Sequence, residues 1–351
     1  MRIAQIAPLA ESVPPKLYGG TERVVAYLTD ELVALGHDVT LFASGDSRTT
    51  ARLIPICPSA LRLGGRCLDP LAYHVAMIEQ VRRMRPQFDI IHSHVEYLPM
   101  AILGRGSPAL LTTLHGRLDQ PEFECVYREF RDFPVVSISA SQRAPLPWMN
   151  WVGTVHNGLP ERLLTEGSAH GRYLAFLGRI SPEKGPDVAV RLAIRAGIPI
   201  KLAAKIDQSD RMYFESSIRP FLDHPLVDFL GEFGQEEKAD FLGGARALLF
   251  PVSWPEPFGM VIIEAMACGT PVIAYRNGSV PELVDHGVTG FVVDSEEEAL
   301  EAIDRVTMLD RRQIRHAFER RFTSQRMARE YLKLYEIAAK AEDMPLAAAG
   351  E

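Results

Sequence analysis

Two glutamates, Glu256 and Glu264, lie eight positions apart on either side of a predicted helix start. Pro255 and Pro257 lack backbone N–H donors and hold the chain extended, so the helix is predicted to begin within the two residues after Pro257. Glu256 then lies on a loop, and Glu264 lies one to two turns inside the helix. Carboxylates so placed can accept hydrogen bonds from neighbouring hydroxyls, a hexose for Glu256 and a ribose for Glu264.

The residues between these glutamates predict an anion site. The first amides of the helix, from about Gly259 to Val261, point outward with the positive end of the helix dipole and suit a phosphate. Gly259 allows close approach of an anion. Each glutamate alone also fits an ordinary solvated or salt-bridged acid, and it is their combination with the amides that favours a sugar-nucleotide site.

A second candidate site is the loop 178–185, which holds Arg179 and Lys184 between glycines. The chain has only seven lysines, so a lysine in a shaped loop is informative. Two fixed cations can stabilise the charge of a departing diphosphate without a metal. The alternative is a pair of exposed cations on an ordinary strand-to-helix loop.

Short apolar runs alternate with helical patterns along the whole chain, which predicts parallel sheets with ligand sites at the strand carboxyl ends. The first half contains strands in the segments 1–7, 39–43, 89–94, 110–116, 135–139 and 151–158, and helices starting at about Gly20, Pro70 and Ser141. The pattern restarts at Tyr173, with strands in the segments 174–177, 200–205, 227–231, 247–251, 271–275 and 290–293. The segment 167–171 is the predicted linker between two domains.

The Glu256 to Glu264 segment resembles the Glu-x7-Glu element of the retaining GT-B glycosyltransferases of family 4, and the similarity covers nearly the whole length in order. The resemblance implies an α/β fold of two Rossmann-like doubly wound domains facing across a cleft. It places an acceptor domain at 1–167, a nucleotide-sugar donor domain at 168–322, and a C-terminal helix, 323–341, that crosses back to the first domain.

The resemblance also implies roles for individual residues. It assigns catalytic roles to His115, Glu256, Arg179 and Lys184, with His115 contacting the donor sugar near the reacting carbon. Donor-binding roles fall to residues from both domains, namely Gly19, Gly20, Gly231, Phe258, Gly259, Met260, Val261 and Glu264. On the residues alone His92, His94 and His156 are expected to be structural, and the alternative is that His94 and Glu96 line the acceptor pocket. Ser279 departs from the family pattern, where many relatives have glycine, and its hydroxyl is expected near the site.

The activity implied is metal-independent transfer of a hexosyl group with retained configuration, UDP-glucose being the default donor and the nucleotide sugar the only partner that can be named. The acceptor is a saccharide, a lipid-linked molecule or a small molecule. Neither a cofactor nor a metal is expected. Three alternatives stay open on the residues alone: a nucleotide-sugar epimerase of the same architecture, a non-catalytic hinged sugar-binding protein, and a pyridoxal phosphate-dependent phosphorylase.

The composition of the sequence limits the classes of binding partner and the cellular location that we expect. The net charge of −7 arises after residue 165, which argues against nucleic acid as a partner. Peripheral membrane contact and a solvated helix face both fit the arginine cluster Arg62, Arg66, Arg82, Arg83 and Arg85. The four cysteines have no metal or redox spacing, and neither a signal peptide nor a membrane span of roughly 20 apolar residues is expected from the sequence pattern. The expectation is a cytoplasmic protein.

Overall fold

The structure is a computed structural model that describes residues 1–62, 67–167 and 171–343. The described chain divides into two compact units. One comprises Met1–Gly158 together with the C-terminal helix α12 (Ser324–Asp343), and the other comprises Leu159–Thr323.

The first unit alternates strands and helices, as the apolar runs predict. Its elements before α12 are, in chain order, β1 (Arg2–Ile6), α1 (Gly20–Ala34), β2 (Asp38–Ala43), β3 (Arg52–Pro55), α2 (Pro70–Met84), β4 (Ile90–Ser93), α3 (Leu98–Leu103), β5 (Leu110–Thr113), α4 (Pro121–Glu129), β6 (Val135–Ser137) and β7 (Trp151–Thr154).

These strands form a seven-stranded parallel sheet of order β3-β2-β1-β4-β5-β6-β7. The strand order reverses between β1 and β4, and the carboxyl ends of neighbouring strands at such a switch point leave a crevice suited to ligands. Central strands such as β4 and β5 are buried along their whole length, as parallel strands covered on both faces must be.

Helix α12 packs against α1 and β4 of the first unit. Its buried face consists of Met327, Ala328, Tyr331 and Tyr335, which recur at helical spacing. Its start is fixed by Ser324, whose hydroxyl donates to Oε1 of Glu31 at 2.7 Å. The guanidinium of Arg326 donates to the carbonyl of His156 at 2.6 Å. The last helix therefore belongs to the first unit although it follows the second in sequence.

The second unit repeats the alternation. Its elements are β8 (Tyr173–Arg179), α5 (Pro186–Ala196), β9 (Ile200–Lys205), α6 (Arg211–Tyr213), β10 (Val227–Gly231), α7 (Lys238–Gly243), β11 (Ala245–Phe250), α8 (Met260–Ala267), β12 (Val272–Tyr275), α9 (Val280–Leu283), β13 (Gly290–Val293), α10 (Glu296–Arg305) and α11 (Arg311–Arg321). They include a six-stranded parallel sheet of order β10-β9-β8-β11-β12-β13, whose switch point lies between β8 and β11.

One strand was not predicted, and one helix prediction was wrong. Strand β3 falls in a stretch that shows no strand pattern, because an edge strand that is only half buried needs no continuous apolar run. Ser141 starts a single turn of 3₁₀ helix, Ser141–Arg143, where an α-helix was predicted. Pro145 and Pro147 follow at once and cannot continue a helix.

Only part of the predicted linker lies within the described residues. Residues 168–170 of the predicted linker and the tail from 344 onward lie outside the described residues. The predicted boundary at 167 and 168 stays a prediction, and residues 159–167 lie with the second unit. The Leu159 amide donates to the Phe322 carbonyl at 2.9 Å, and Arg315 binds the carbonyls of Glu161 and Leu164.

Candidate functional site

The switch point of the second unit brings two of the predicted residues into contact. Lys184 lies on the loop after β8, and Glu256 lies on the loop after β11, the strand next to β8. The Lys184 ammonium donates to Oε2 of Glu256. The same oxygen accepts a hydrogen bond from Nε1 of Trp254 at 2.7 Å. The ammonium lies 5.0 Å from the centre of the Trp254 ring, a favourable cation–π distance.

Glu256 is held so that one of its oxygens stays available. Its residue surface is only 8% exposed, and both hydrogen bonds go to Oε2. Within the described part of the chain Oε1 makes no hydrogen bond. The backbone of Glu256 is fixed as well, because its carbonyl accepts from the Ser279 amide at 2.9 Å. A Cβ at Gly278 would lie 2.3 Å from the Glu256 amide nitrogen, so only glycine fits there.

Glu264 repeats this arrangement inside α8, where it is the fifth residue. It is 1% exposed, and Lys238 of α7 donates to its Oε1 at 2.6 Å. Its other oxygen, Oε2, is buried without a hydrogen-bond partner among the described residues. A buried carboxylate oxygen without a hydrogen bond raises the free energy of the folded protein. Oε2 can therefore accept a hydrogen bond from a hydroxyl or amide of a ligand.

Arg179, the last residue of β8, lies among three carboxylates. It donates to Glu183, and its guanidinium lies 3.5 Å from Asp210 and 3.9 Å from Asp207. The hydrogen bond and charge of Arg179 help to lower the pKa of Glu183, against the effect of burial, which is the largest influence and acts in the opposite direction. A diphosphate would compete with these carboxylates for the guanidinium.

The start of α8 combines a left-handed glycine with free amides. Gly259 has φ +85°, which side chains rarely adopt, and a Cβ there would lie 3.1 Å from Ile262 Cδ1. Ile262 donates to the Gly259 carbonyl at 3.0 Å. The amides of Met260 and Val261 make no hydrogen bond within the described part of the chain. Two donors at the positive end of the helix are therefore available to an anion.

Three further residues that were predicted near the site do not place a free side-chain group beside Glu256. The Phe258 ring is 2% exposed and packs edge-on against Phe322, so its side chain does not face a ligand. Ser279 donates its buried hydroxyl to the Phe258 carbonyl at 2.7 Å, which fixes the loop rather than adding a free polar group. Gly231 ends the edge strand β10 with φ +78°, two strands from β8 or about 10 Å away.

In the first unit, His115 follows β5 and points into a buried polar group at the carboxyl ends of the central strands. Its Nε2 lies 2.8 Å from Nδ1 of His94, which follows β4. Burial lowers the pKa of His115 to about 3 and also lowers the pKa of His94 and His92 well below the usual range. All three imidazoles are therefore neutral at physiological pH.

Glu96 supports the loop on which His115 lies. Oε1 of Glu96 accepts from the amides of Gly116 at 3.2 Å and His115 at 3.4 Å, and Oε2 accepts from the Tyr127 hydroxyl at 2.9 Å. Burial raises the pKa of Glu96, while these hydrogen bonds work in the opposite direction. Glu96 also has φ +33°, a conformation that costs a non-glycine residue energy and is found disproportionately at functional sites.

Gly19 and Gly20 open α1, as predicted. A Cβ at Gly19 would lie 2.8 Å from Pro15 Cβ and 3.2 Å from Glu11 Cγ, so a side chain does not fit. Around Gly20 the space is open. The acids nearby are buried: the Glu11 amide donates to Glu22, and Arg62 pairs with Glu11.

The described arginines that were considered for membrane contact each bind another group of the protein. Arg82 and Arg83 of α2 both pair with Glu79, which lowers the pKa of that carboxyl to about 2. Arg85 donates to carbonyls of the loop after α3 and Arg62 to Glu11 and the Tyr18 carbonyl. Arg66 lies outside the described residues. In the described ranges no helix combines the length and apolarity needed to cross a bilayer.

Two features of the site were not predicted from the sequence. Lys238 is one of the seven lysines, but it precedes Glu264 by 26 positions, and no local pattern links the two. Tyr331 and Tyr335 follow the helical spacing of apolar residues in the sequence, which does not indicate that their hydroxyls bind the buried polar group around His92. Their sequence separation from His92 exceeds 200 residues, so only the fold reveals the contact.

Two doubly wound sheets with candidate ligand groups at their switch points define a two-domain Rossmann-like protein of the GT-B class. Solved structures support the fold. A sucrose-phosphate synthase from Thermosynechococcus elongatus superposes with a TM-score of 0.78 at 21% identity, covering 97% of this chain and 99% of that one. An Anabaena protein crystallised with UDP and glucose gives a TM-score of 0.74 at 17% identity, covering 96% of this chain and 100% of that one.

Family profiles make the assignment specific. The profile described as Glycosyltransferase Family 4 matches residues 18–180, and the profile described as Glycosyl transferases group 1 matches residues 167–322. The chain belongs to the GT-B glycosyltransferases of this family, so the predicted family and fold class are confirmed.

The curated relatives match over part of their length. A D-inositol 3-phosphate glycosyltransferase of Thermobispora bispora is 33% identical over 199 residues, 48% of this chain and 44% of the relative. Its counterpart in Mycolicibacterium smegmatis is 30% identical over 161 residues, 42% of this chain and 37% of the relative. The chain thus spans less than half the length of these relatives in the matched regions.

Proposed function

We propose that this protein transfers a hexosyl group, glucose from UDP-glucose, to an acceptor hydroxyl with retention of configuration and without a metal ion. One observation carries the proposal. Glu256 and Glu264 each bind a lysine through one carboxylate oxygen, and in the described part of the chain the other oxygen has no partner. Two such oxygens on either side of a helix start with free amides match the hydroxyl–phosphate–hydroxyl order of a nucleotide sugar.

Each group then has a distinct role. Oε2 of Glu264 accepts hydrogen bonds from the ribose hydroxyls, and Oε1 of Glu256 accepts from hydroxyls of the hexose. Lys184, Arg179 and the amides of Met260 and Val261 bind the diphosphate. Phe258 and Gly259 shape this turn through their backbone. Gly231, at the end of β10, is proposed to precede the loop that reads the base, and Gly19 and Gly20 keep their proposed donor-binding role within the first unit.

The proposed step is a front-face displacement. The bond between the anomeric carbon and the phosphate oxygen breaks, the acceptor oxygen bonds to the anomeric carbon on the same face, and the acceptor proton passes to the departing phosphate. The nucleoside diphosphate leaves with additional negative charge. Lys184 and Arg179 stabilise that charge because they are already held in place when it develops. His115, neutral at physiological pH, hydrogen-bonds the donor sugar.

Known relatives guide the choice of substrates. The Anabaena protein of the same fold has been crystallised with UDP-glucose. The curated relatives are named for transfer to D-inositol 3-phosphate. UDP-glucose is therefore the first donor to assay, and a phosphorylated polyol is the first acceptor, with saccharides and lipid-linked molecules next.

A binding panel followed by product analysis tests the proposal. Thermal shifts are measured with UDP, GDP, ADP and their glucose, galactose, mannose and N-acetylglucosamine conjugates, with and without EDTA. We expect stabilisation by one diphosphate series, unchanged by EDTA. Proton NMR of the product then reports the anomeric configuration, and an axial linkage from UDP-glucose is expected. Stabilisation by none of these compounds would overturn the proposal, and an equatorial linkage would overturn retention.

A further inference from the structure

A continuous chain of buried hydrogen bonds leads from His115 to the C-terminal helix. His94 Nε2 lies 2.8 Å from Oε1 of Gln5 in β1. Nε2 of Gln5 donates to the Tyr335 hydroxyl at 3.1 Å, and that hydroxyl lies 2.7 Å from Nδ1 of His92. With the contact of His94 to His115, the chain joins β1, β4, the end of β5 and α12.

The side-chain amide of Gln5 determines which atoms donate and which accept in this series of hydrogen bonds. Its Oε1 can only accept, so His94 donates from Nε2 and carries its proton there. A neutral histidine has one proton, so Nδ1 of His94 is an acceptor, and His115 must donate to it from Nε2. Burial keeps the pKa of His94 far below its usual range, so the doubly protonated form does not compete.

Tyr335 completes the arrangement on the far side of Gln5. Its hydroxyl accepts from the Gln5 amide nitrogen and can donate to Nδ1 of His92. Nε2 of His92 then donates to Thr113 Oγ1 at 2.7 Å, which lies 3.0 Å from the Tyr331 hydroxyl. Gln5, His92 and Tyr335 are all fully buried, so no water replaces a lost partner without rearrangement.

We propose that Gln5 and Tyr335 are positioning residues that hold His115 in the tautomer with its proton on Nε2 and a lone pair on Nδ1. Nδ1 of His115 makes no hydrogen bond to a described residue. It is therefore an acceptor available to a hydroxyl of the donor sugar or acceptor. The inference rests on the proposed function for its consequence in catalysis, but the tautomer itself is independent of any substrate.

The inference gives α12 a role in setting the state of His115. Through the Tyr335 hydroxyl, α12 supplies a partner of the Gln5 amide in the group of hydrogen bonds that sets His115, more than 200 positions earlier in the sequence. Partners that fix the tautomer of a metal-binding histidine contribute about 10- to 100-fold to affinity or activity, and we expect an effect of that order for the partners of His115. Tyr335 is thus expected to affect turnover without touching a substrate.

The test compares Tyr335→Phe and Gln5→Met with Tyr331→Phe. The control lies on the same helix, is equally buried and loses one hydroxyl, but it contacts Gln5 indirectly, through Thr113 and His92. Imidazole ¹⁵N shifts report the tautomer of His115, which is assigned from a His115→Asn spectrum. Turnover and donor KM are measured with UDP-glucose.

In wild type and Tyr331→Phe we expect His115 protonated on Nε2. In Gln5→Met and Tyr335→Phe we expect a mixture of tautomers and turnover lowered about 10-fold or more at unchanged donor KM. A wild-type tautomer in both of these variants, or equal changes in both tyrosine variants, would overturn the inference. Absence of transfer by the wild type would instead count against the proposed function, while the NMR comparison would still decide the tautomer.

Discussion

Lys184 has two tasks in the proposed donor site, since it pairs with Glu256 and is proposed to bind the diphosphate. Its side chain is 13% exposed and that of Glu256 is 10% exposed, so the pair is largely shielded from solvent. Replacing the lysine with an uncharged residue leaves the carboxylate without its cation, and a charge so shielded is costly to leave unpaired. The residue is therefore expected to matter for affinity and for stability.

We predict that Lys184→Met weakens UDP binding at least about 10-fold, which corresponds to about 1.4 kcal/mol. The affinity is measured by isothermal titration calorimetry. Lys201→Met is the matched control, because Lys201 lies in the same unit on β9, with its ammonium 4.4 Å from the centre of the Tyr173 ring. UDP affinity in Lys184→Met equal to that of the control would remove Lys184 from the proposed site.

At the scale of the element, the start of α8 depends on one backbone conformation. Gly259→Ala forces a Cβ into a left-handed conformation, which costs about 1–2 kcal/mol, and places it 3.2 Å from Phe250 Cζ. We predict a loss of about 1–3 kcal/mol in the free energy of unfolding, measured by urea denaturation.

Gly20→Ala is the control for that change, since Gly20 is also a helix-start glycine but has open space around it. Its substitution is expected to leave the free energy of unfolding unchanged or to raise it by about 0.4–1 kcal/mol. If Gly259→Ala were as stable as Gly20→Ala, the strained turn would not define the start of α8.

Elements buried on both faces were predictable from the sequence, and partly exposed ones were not. Strand β11 and helix α8 each contain one charged residue among apolar ones, and their positions follow from the residues alone. Strand β3 is a four-residue edge strand that is exposed at both ends and only half buried between them, so its pairing with β2 defines it. The residues of the site on loops were predicted by their type, but their partners Lys238 and Tyr335 depend on contacts between distant segments.

At the scale of the whole molecule, buried neutral histidines make the first unit sensitive to acid. His92 and His94 are buried, and the pKa of each is lowered by desolvation first and by neighbouring histidines second. In the unfolded chain a histidine takes up its proton at about pH 6.5. The stability that comes from burying the neutral rings is therefore complete above that pH and is lost as the pH falls below it.

We predict that the free energy of unfolding of the first unit falls between pH 6.5 and 5 by up to about 1.4 kcal/mol per histidine per pH unit. A Trp254→Phe background leaves Trp148 and Trp151, both in the first unit, to report its unfolding by fluorescence. His92→Gln in this background should show a shallower pH dependence. An equal slope with and without His92 would contradict the account.

The division into two units was predictable in kind, because the strand and helix pattern restarts once along the sequence. The return of α12 to the first unit was expected from the resemblance, and its buried face follows helical spacing. What the sequence could not supply is the position at which the chain changes unit, since Leu159 and Phe322 meet only in the folded protein.

The central claim is that Glu264 binds the nucleotide and Glu256 binds the sugar. Calorimetric titration of UDP and UDP-glucose into the wild type, Glu264→Gln and Glu256→Gln tests it most directly. We predict that Glu264→Gln loses affinity for both ligands, whereas Glu256→Gln keeps wild-type affinity for UDP and binds UDP-glucose more weakly. Equal affinity of all three proteins for both ligands would contradict the account.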